Sequence, residues 1–310
     1  MNNSRWVIRG ALVLIILTYI GYSRFYTNND PGINSIDQTG LNIIISIRNI
    51  DSELKRFVIG VPFLVDRRVL FMPETRASGS FFLPEPSRET FEVSGQFTGD
   101  VDRGGVCNVE VISSAAHNLT HIETSAHVLS YGSDPFTVDE IPPENLSGLL
   151  YLIDLTDIPA EAGRAIEWSD IKERLDGLTL PVTMLAIKTG SSLMEEDHNF
   201  SGEDFLCLSP EAAEGINNFR IMVNRIGCLI LDLPSIDREN DEGKLLAHRK
   251  YFGIPETGHS GADTEKRALV ELAYFSGLDE GYYYAVITPA RFQTNAVTTG
   301  ITFWKLNEEK

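Results

Sequence analysis

From Leu41 onward the chain alternates short β-type runs with clusters of turn residues: LNIIISI, RFVIGVPFLV, VLFM, FEVSGQF and VCNVEVI. That alternation limits every element to a short strand or helix that must share a core with its neighbours. The middle of the chain mixes both. LLYLIDL (149–155) and VTMLAIKTG (182–190) read as buried strands. SDIKERLDG (169–177) and SPEAAEGINNFRIMVNRIG (209–227) read as amphipathic helices. The second opens with Ser209 as N-cap and Pro210 at its first position, and Gly227 stands just past its end. CLILDLPSID (228–237) follows as a strand running into a loop, and ALVELAYF, GYYYAVITPARF and TGITFWKL are three more strands. No heptad, fixed-period repeat or low-complexity tract interrupts this order. With 310 residues, 43% of them hydrophobic, the chain can bury a substantial core. The expectation is a single α/β or mixed α+β domain over 41–310, with a central mixed sheet or barrel-like β core flanked by helices.

The N-terminus has a different character. Ala11 to Tyr22, ALVLIILTYIGY, is uncharged and apolar, with Arg5 and Arg9 before it and SRFYTNNDPG after it. Twelve residues suit a signal-peptide core, and adding Trp6 to Gly10 reaches the lower end of the ~17–25 residues of a membrane span. Arg9 could then snorkel to the headgroups. Residues 1–23 are therefore expected to form an apolar helix acting as signal anchor or signal peptide, and 24–40 a tether. The paired arginines place the body outside the cytoplasm, either anchored or secreted after cleavage. A formal net charge of −18 argues against a nucleic-acid partner. Cys107, Cys207 and Cys228 lack the spacing of a thiolate metal site.

The chemistry is concentrated in SSAAHNLTHIETSAHVLS, which carries His117, His121, Glu123 and His127. Imidazole and carboxylate are ligands of Zn²⁺ and related first-row metals. On a helix, 100° per residue would separate the four into two pairs pointing different ways. On a strand the even spacing puts all four on one face, but a straight strand spreads them over about 33 Å at ~3.3 Å per residue. The chain must bend within the motif, so that at most three of the four bind one metal and the fourth stands beside it as acid or base. The sequence has no HExxH, GxSxG, P-loop or GxGxxG motif. His198 and His259 fall in polar loops and are expected to be solvated, and the sequons at Asn118, Asn145 and Asn199 read as chance matches.

HNLTHIETSAH resembles the HxGTHxDxPxH signature of kynurenine formamidases, isatin hydrolases and related metal-dependent cyclase-like hydrolases. GQFTGDVDRGGVCN, LAIKTG, DLPSID, AHRKYFGI and ALVEL are similar to further elements of that family, in the same order, over roughly residues 90–292. The resemblance implies a fold of the swivelling β/β/α type and a metal-activated water that hydrolyses a C–N amide bond. It implies metal ligation by His117, His121 and Glu123, with His248 and Glu271 completing a second position that Glu123 can bridge. His127 would be the general acid/base. The cofactor implied is Zn²⁺ or Mn²⁺, up to two per subunit. The substrate would be a small molecule, as for an arylformamidase of tryptophan catabolism, and the assembly a homodimer.

The chain departs from the signature at three positions: Leu119 replaces glycine, Glu123 replaces aspartate and Ser125 replaces proline. The insertion PETGHSGADTE (255–265) makes Glu265 a rival of Glu271. Asp232 and Asp237 read either as partners that orient a ligand histidine or as turn-forming acids at a strand end. A membrane-anchored, non-catalytic binding protein that keeps the fold and a structural metal is the alternative reading.

Overall fold

The computed structural model describes residues 44–48, 53–66, 83–84, 86–159, 164–191, 200, 205–221, 224–261 and 265–309. The N-terminal run, the tether, the VLFM segment, His198 and Asn199 lie outside the described residues. Among the described residues, no helix is long and apolar enough to cross a membrane.

Nine strands form the main sheet: β1 (Ile44–Arg48), β2 (Leu54–Leu64), β3 (His121–Glu123), β4 (Ser147–Asp154), β5 (Met184–Lys188), β6 (Cys228–Leu231), β7 (Ala268–Glu271), β8 (Gly281–Pro289) and β9 (Ala296–Glu308). Their spatial order is β1-β2-β9-β8-β4-β5-β6-β7-β3. The sheet also closes on itself, because β3 pairs with β9 through Ala296↔Glu123 and Thr298↔His121. Seven strands thus make a barrel, the second of the two β cores, mixed sheet or barrel, that the sequence left open. The thirteen-residue β9 serves both structures: its first residues seal the barrel against β3, and its last pair with β2.

β4, β5, β6 and β7 run parallel, and parallel neighbours need long crossovers. These connections carry α1 (Trp168–Asp176), α2 (Pro210–Asn218) and α3 (Leu246–Phe252). The helices explain why these strands are apolar at nearly every position. Leu150, Leu152, Met184, Ala186, Cys228, Ile230, Ala268 and Val270 fill the barrel with Tyr283, Phe275 and Phe303. The alternating Ile153, Leu155, Leu185, Ile187, Leu229, Leu231 and Leu269 pack under the helices. Each fully buried aliphatic side chain in these two layers contributes about 1.5–3 kcal/mol of transfer free energy.

The helix expected over 209–227 is only half as long. Ser209 does cap it, accepting from Ala212 N, and Pro210 is its first residue. It stops at Asn218. Phe219 turns extended (φ −67°, ψ 144°), and its ring packs edge-on against Trp168 at 5.9 Å. The Asn217 side chain donates to Lys250 O and Tyr251 O of α3, so its amide caps a neighbouring helix. Arg220–Ile221 and Asn224–Arg225 then pair antiparallel. Gly227 is not a C-cap. It opens β6 where Asn145 packs so close that a Cβ would lie 1.9 Å from the amide oxygen. FEVSGQF is likewise not one strand: Glu92–Val93 folds back on Phe97–Thr98 around Gly95, at φ 71°.

Candidate metal centre

β3 is only three residues long, but it is the strand that closes the barrel. Ile122 points into the barrel core, so His121 and Glu123 point outward, beneath the helix layer. Pairing with β7 sets Glu271 directly opposite His121. α3 covers the same face with His248. All four are buried, at 0%, 0%, 3% and 1% exposure for His121, Glu123, Glu271 and His248.

The two bends that gather the other histidines lie on either side of β3. Before it, Leu119 takes a left-handed backbone conformation (φ 61°) where the family signature has glycine. This turn folds His117 back so that its Nδ1 lies 3.2 Å from His121 Nε2 and 3.1 Å from Glu123 Oε2. After it, Thr124 is extended and anchored by its hydroxyl to Phe136 O at 2.7 Å. A 3₁₀ turn over Ser125–His127 then brings the His127 ring to 4.3 Å from that of His117 and 5.2 Å from that of His248. This second bend sets His127 beside the other three, as the spacing of the motif required of its fourth member. His127 Nδ1 is 4.0 Å from Glu123 Oε2.

His248 is held from behind. Its Nδ1 lies 2.6 Å from Asp237 Oδ2, and the same carboxylate accepts from the backbone N–H groups of Ala247 and His248. Nδ1 is thereby the protonated nitrogen, and Nε2 faces Glu123 Oε1 at 2.9 Å and Glu271 Oε1 at 3.7 Å. Asp237 takes the histidine-orienting position. Asp232 instead accepts from Thr189 N and Oγ1, tying the end of β5 to the end of β6. Glu271 sits in the cluster, with Oε2 3.4 Å from His121 Nε2 and Oε1 accepting from Ile236 N. Its rival Glu265 pairs with Arg225 and Arg267. No sequence motif marks Asn295, just ahead of β9. Its backbone oxygen accepts from Thr124 N at 3.0 Å, and its side-chain amide lies 3.2 Å from His117 Nε2. His259 is exposed, as expected, with Nδ1 3.1 Å from Val128 O.

The electrostatics follow from burying two carboxylates among four imidazoles. Burial pushes the Glu123 carboxyl upward, but His127, His248 and His117 outweigh it and hold the group well below its ordinary range. Burial likewise works against charge on His248 and His121, yet Glu123, Asp237 and Glu271 raise His248 strongly, and Glu271 and Glu123 raise His121. His127 goes the other way. Burial, joined by the neighbouring histidines, lowers it to about 3, so it is neutral at neutral pH.

These residues fit a divalent cation. Both oxygens of Glu123 and Nε2 of His248 are buried without a hydrogen-bond partner, although His248 Nε2 and Glu123 Oε1 approach to 2.9 Å. Unpaired buried polar atoms aimed at one point are costly unless something shared satisfies them. His117, Glu123 and His127 offer three ligand atoms within 4.8 Å of one another, and His121, Glu123 and Glu271 offer a second such set. Ligands about 2.0–2.2 Å from one cation have comparable separations. Glu123 belongs to both sets, as a bridging carboxylate would. The grouping differs from the one implied by the resemblance in placing His127 beside His117 and Glu123.

Comparisons with known proteins agree with this frame. Residues 57–238, more than half of the chain, match the Cyclase family, described as "Putative cyclase". No curated protein matches the chain. Isatin hydrolase A from Labrenzia aggregata superimposes with a TM-score of 0.57 at 15% identity, covering 79% of this chain and 94% of its own. Isatin hydrolase A from Ralstonia solanacearum gives 0.53 at 13% identity, covering 79% and 92%. A predicted metal-dependent hydrolase from Bacillus stearothermophilus gives 0.54 at 20% identity, covering 79% and 98%. At these identities the superpositions speak for the fold; the family match speaks for descent, and the chain belongs to the Cyclase family.

Proposed function

We propose that this chain is a metal-dependent hydrolase that cleaves the C–N amide bond of a small substrate, an aryl-formamide or a cyclic amide. The observation that carries the reading is Glu123: a fully buried carboxylate ringed by four histidines, whose oxygens find no well-aligned hydrogen bond although His117 and His248 approach to 3.1 and 2.9 Å. A Zn²⁺ or Mn²⁺ ion held by His117, His121, Glu123, His248 and Glu271 would supply Lewis-acid polarisation of a carbonyl and acidify water near neutral pH. The remaining work falls to the protein. Asp237 fixes the His248 ring so that Nε2 faces the centre. His127, whose side chain keeps 25% of its exposure, stands on the solvent side of Glu123. There it can take a proton from the attacking water and hand it to the departing nitrogen.

The test is turnover by the metal-loaded protein of formyl-aryl amides and small lactams, against a chelated control. Chelator-sensitive hydrolysis of either class supports the reading. Stoichiometric metal with no turnover across both classes would favour the non-catalytic binding protein.

The N-terminal sequence supports one further proposal, that the body is carried out of the cytoplasm by residues 1–23, with Arg5 and Arg9 on the cytoplasmic side. A C-terminal reporter that fluoresces only in the cytoplasm should stay dark on the full-length chain. A bright reporter would overturn this topology.

A further inference from the structure

Both ring nitrogens of His117 face side chains that constrain its proton. Nδ1 faces His121 Nε2 at 3.2 Å and Glu123 Oε2 at 3.1 Å, and Nε2 faces the Asn295 amide at 3.2 Å. Glu123 Oε2 is a carboxylate oxygen and can only accept, so the neutral His117 ring carries its proton on Nδ1. With the proton there, Nε2 is the lone pair that accepts from Asn295 Nδ2–H. In this arrangement His117 carries a proton on the nitrogen that faces Glu123.

A cation cannot share that nitrogen with a proton. For Nδ1 to present a lone pair, the neutral ring must carry its single proton on Nε2, and the group facing Nε2 must accept. Asn295 can do so by turning its amide over, because a half-turn exchanges oxygen for nitrogen at nearly the same position. The other partner of the amide tolerates the turn. Thr294 Oγ1 lies 3.3 Å from Asn295 Oδ1, and a hydroxyl accepts as readily as it donates. The backbone of Asn295 is meanwhile fixed by its bond from Thr124 N, opposite the strand that carries Glu123.

We propose that Asn295 is a positioning residue that selects the His117 tautomer: its side-chain oxygen accepts Nε2–H when a cation sits at Nδ1, and its amide reverses when the cation leaves. This rests on the metal reading of the cluster. Two variants separate the possibilities. Asn295→Asp places an acceptor at either orientation, and Asn295→Leu keeps the approximate size but accepts nothing. The measurements are Zn²⁺ affinity by competition with a chromogenic chelator and the ¹⁵N shifts of the His117 ring. Wild-type protein should pass from the Nδ1–H to the Nε2–H tautomer on loading. Asn295→Asp should show Nε2–H already without metal and should hold Zn²⁺ at least as tightly as wild type. Asn295→Leu should lose roughly 10–100-fold in affinity, the usual effect of removing a residue that orients a ligand histidine. If the leucine variant does not fold, the tautomer and affinity of the aspartate variant still decide the question. Weakened binding in Asn295→Asp, or an unchanged tautomer, would overturn the proposal. A wild-type protein that binds no Zn²⁺ would instead overturn the metal reading beneath it.

Discussion

Leu119 carries a conflict that can be measured. A non-glycine residue at φ 61° costs about 1–2 kcal/mol of backbone strain, yet this side chain is buried with 3% exposure. Removing it to alanine should cost about 2–5 kcal/mol, as other buried leucines do. Leu119→Gly loses the same packing but is freed of the strain, so it should be more stable than Leu119→Ala by about 1 kcal/mol in denaturant unfolding. The usual order, alanine above glycine, would show that the left-handed turn is not held in solution. His127 offers the second test at this scale. His127→Gln should keep near-normal metal content while turnover falls by about 10²- to 10⁴-fold, the contribution of a positioned acid/base. Loss of metal would make His127 a ligand, a role its 4.0 Å approach to Glu123 makes geometrically accessible. The histidines and Glu123 were legible in the sequence because their even spacing on one short stretch is itself a geometric statement. Asn295 was not, because what defines it is the pairing of two segments about 170 residues apart, with no local pattern to mark it.

Elements reach the site by different routes, and this decides which of them the sequence could disclose. β4 to β7 are apolar on both faces because helices cover one side and the barrel fills the other, and such runs are plain in one dimension. The end of α2 is not. Whether the chain continues past Asn218 depends on Phe219 finding Trp168 and on Asn217 being taken by α3, both tertiary events. Gly227, which looks like a helix stop, is small because Asn145 needs the space. α3 makes a testable case. Asp237 caps its first turn and orients His248 with one carboxylate. Asp237→Ala should therefore cost about 0.5–2 kcal/mol of stability through the lost cap, and roughly 10–100-fold in metal affinity through the loosened ring. Reduced stability with wild-type metal affinity would mean that the carboxylate serves the helix alone.

At the scale of the whole molecule, the closed barrel is what assembles the centre. β3 reaches its place only because the first residues of β9 and the last of β7 pair with it from both sides. Candidate ligands from residue 117 to residue 271 then converge on one outer face, beneath a helix that supplies His248. Such a site should bind metal in the folded chain and stabilise it, since the cation relieves the crowding of unpaired buried groups. The most direct test is the metal content of the purified protein, measured by elemental analysis beside its His121→Ala variant. The wild type should hold one or two equivalents of a first-row divalent metal per chain, and the variant should lose them. A wild-type protein without metal, or a variant that keeps it in full, would contradict the claim that this cluster is a metal centre.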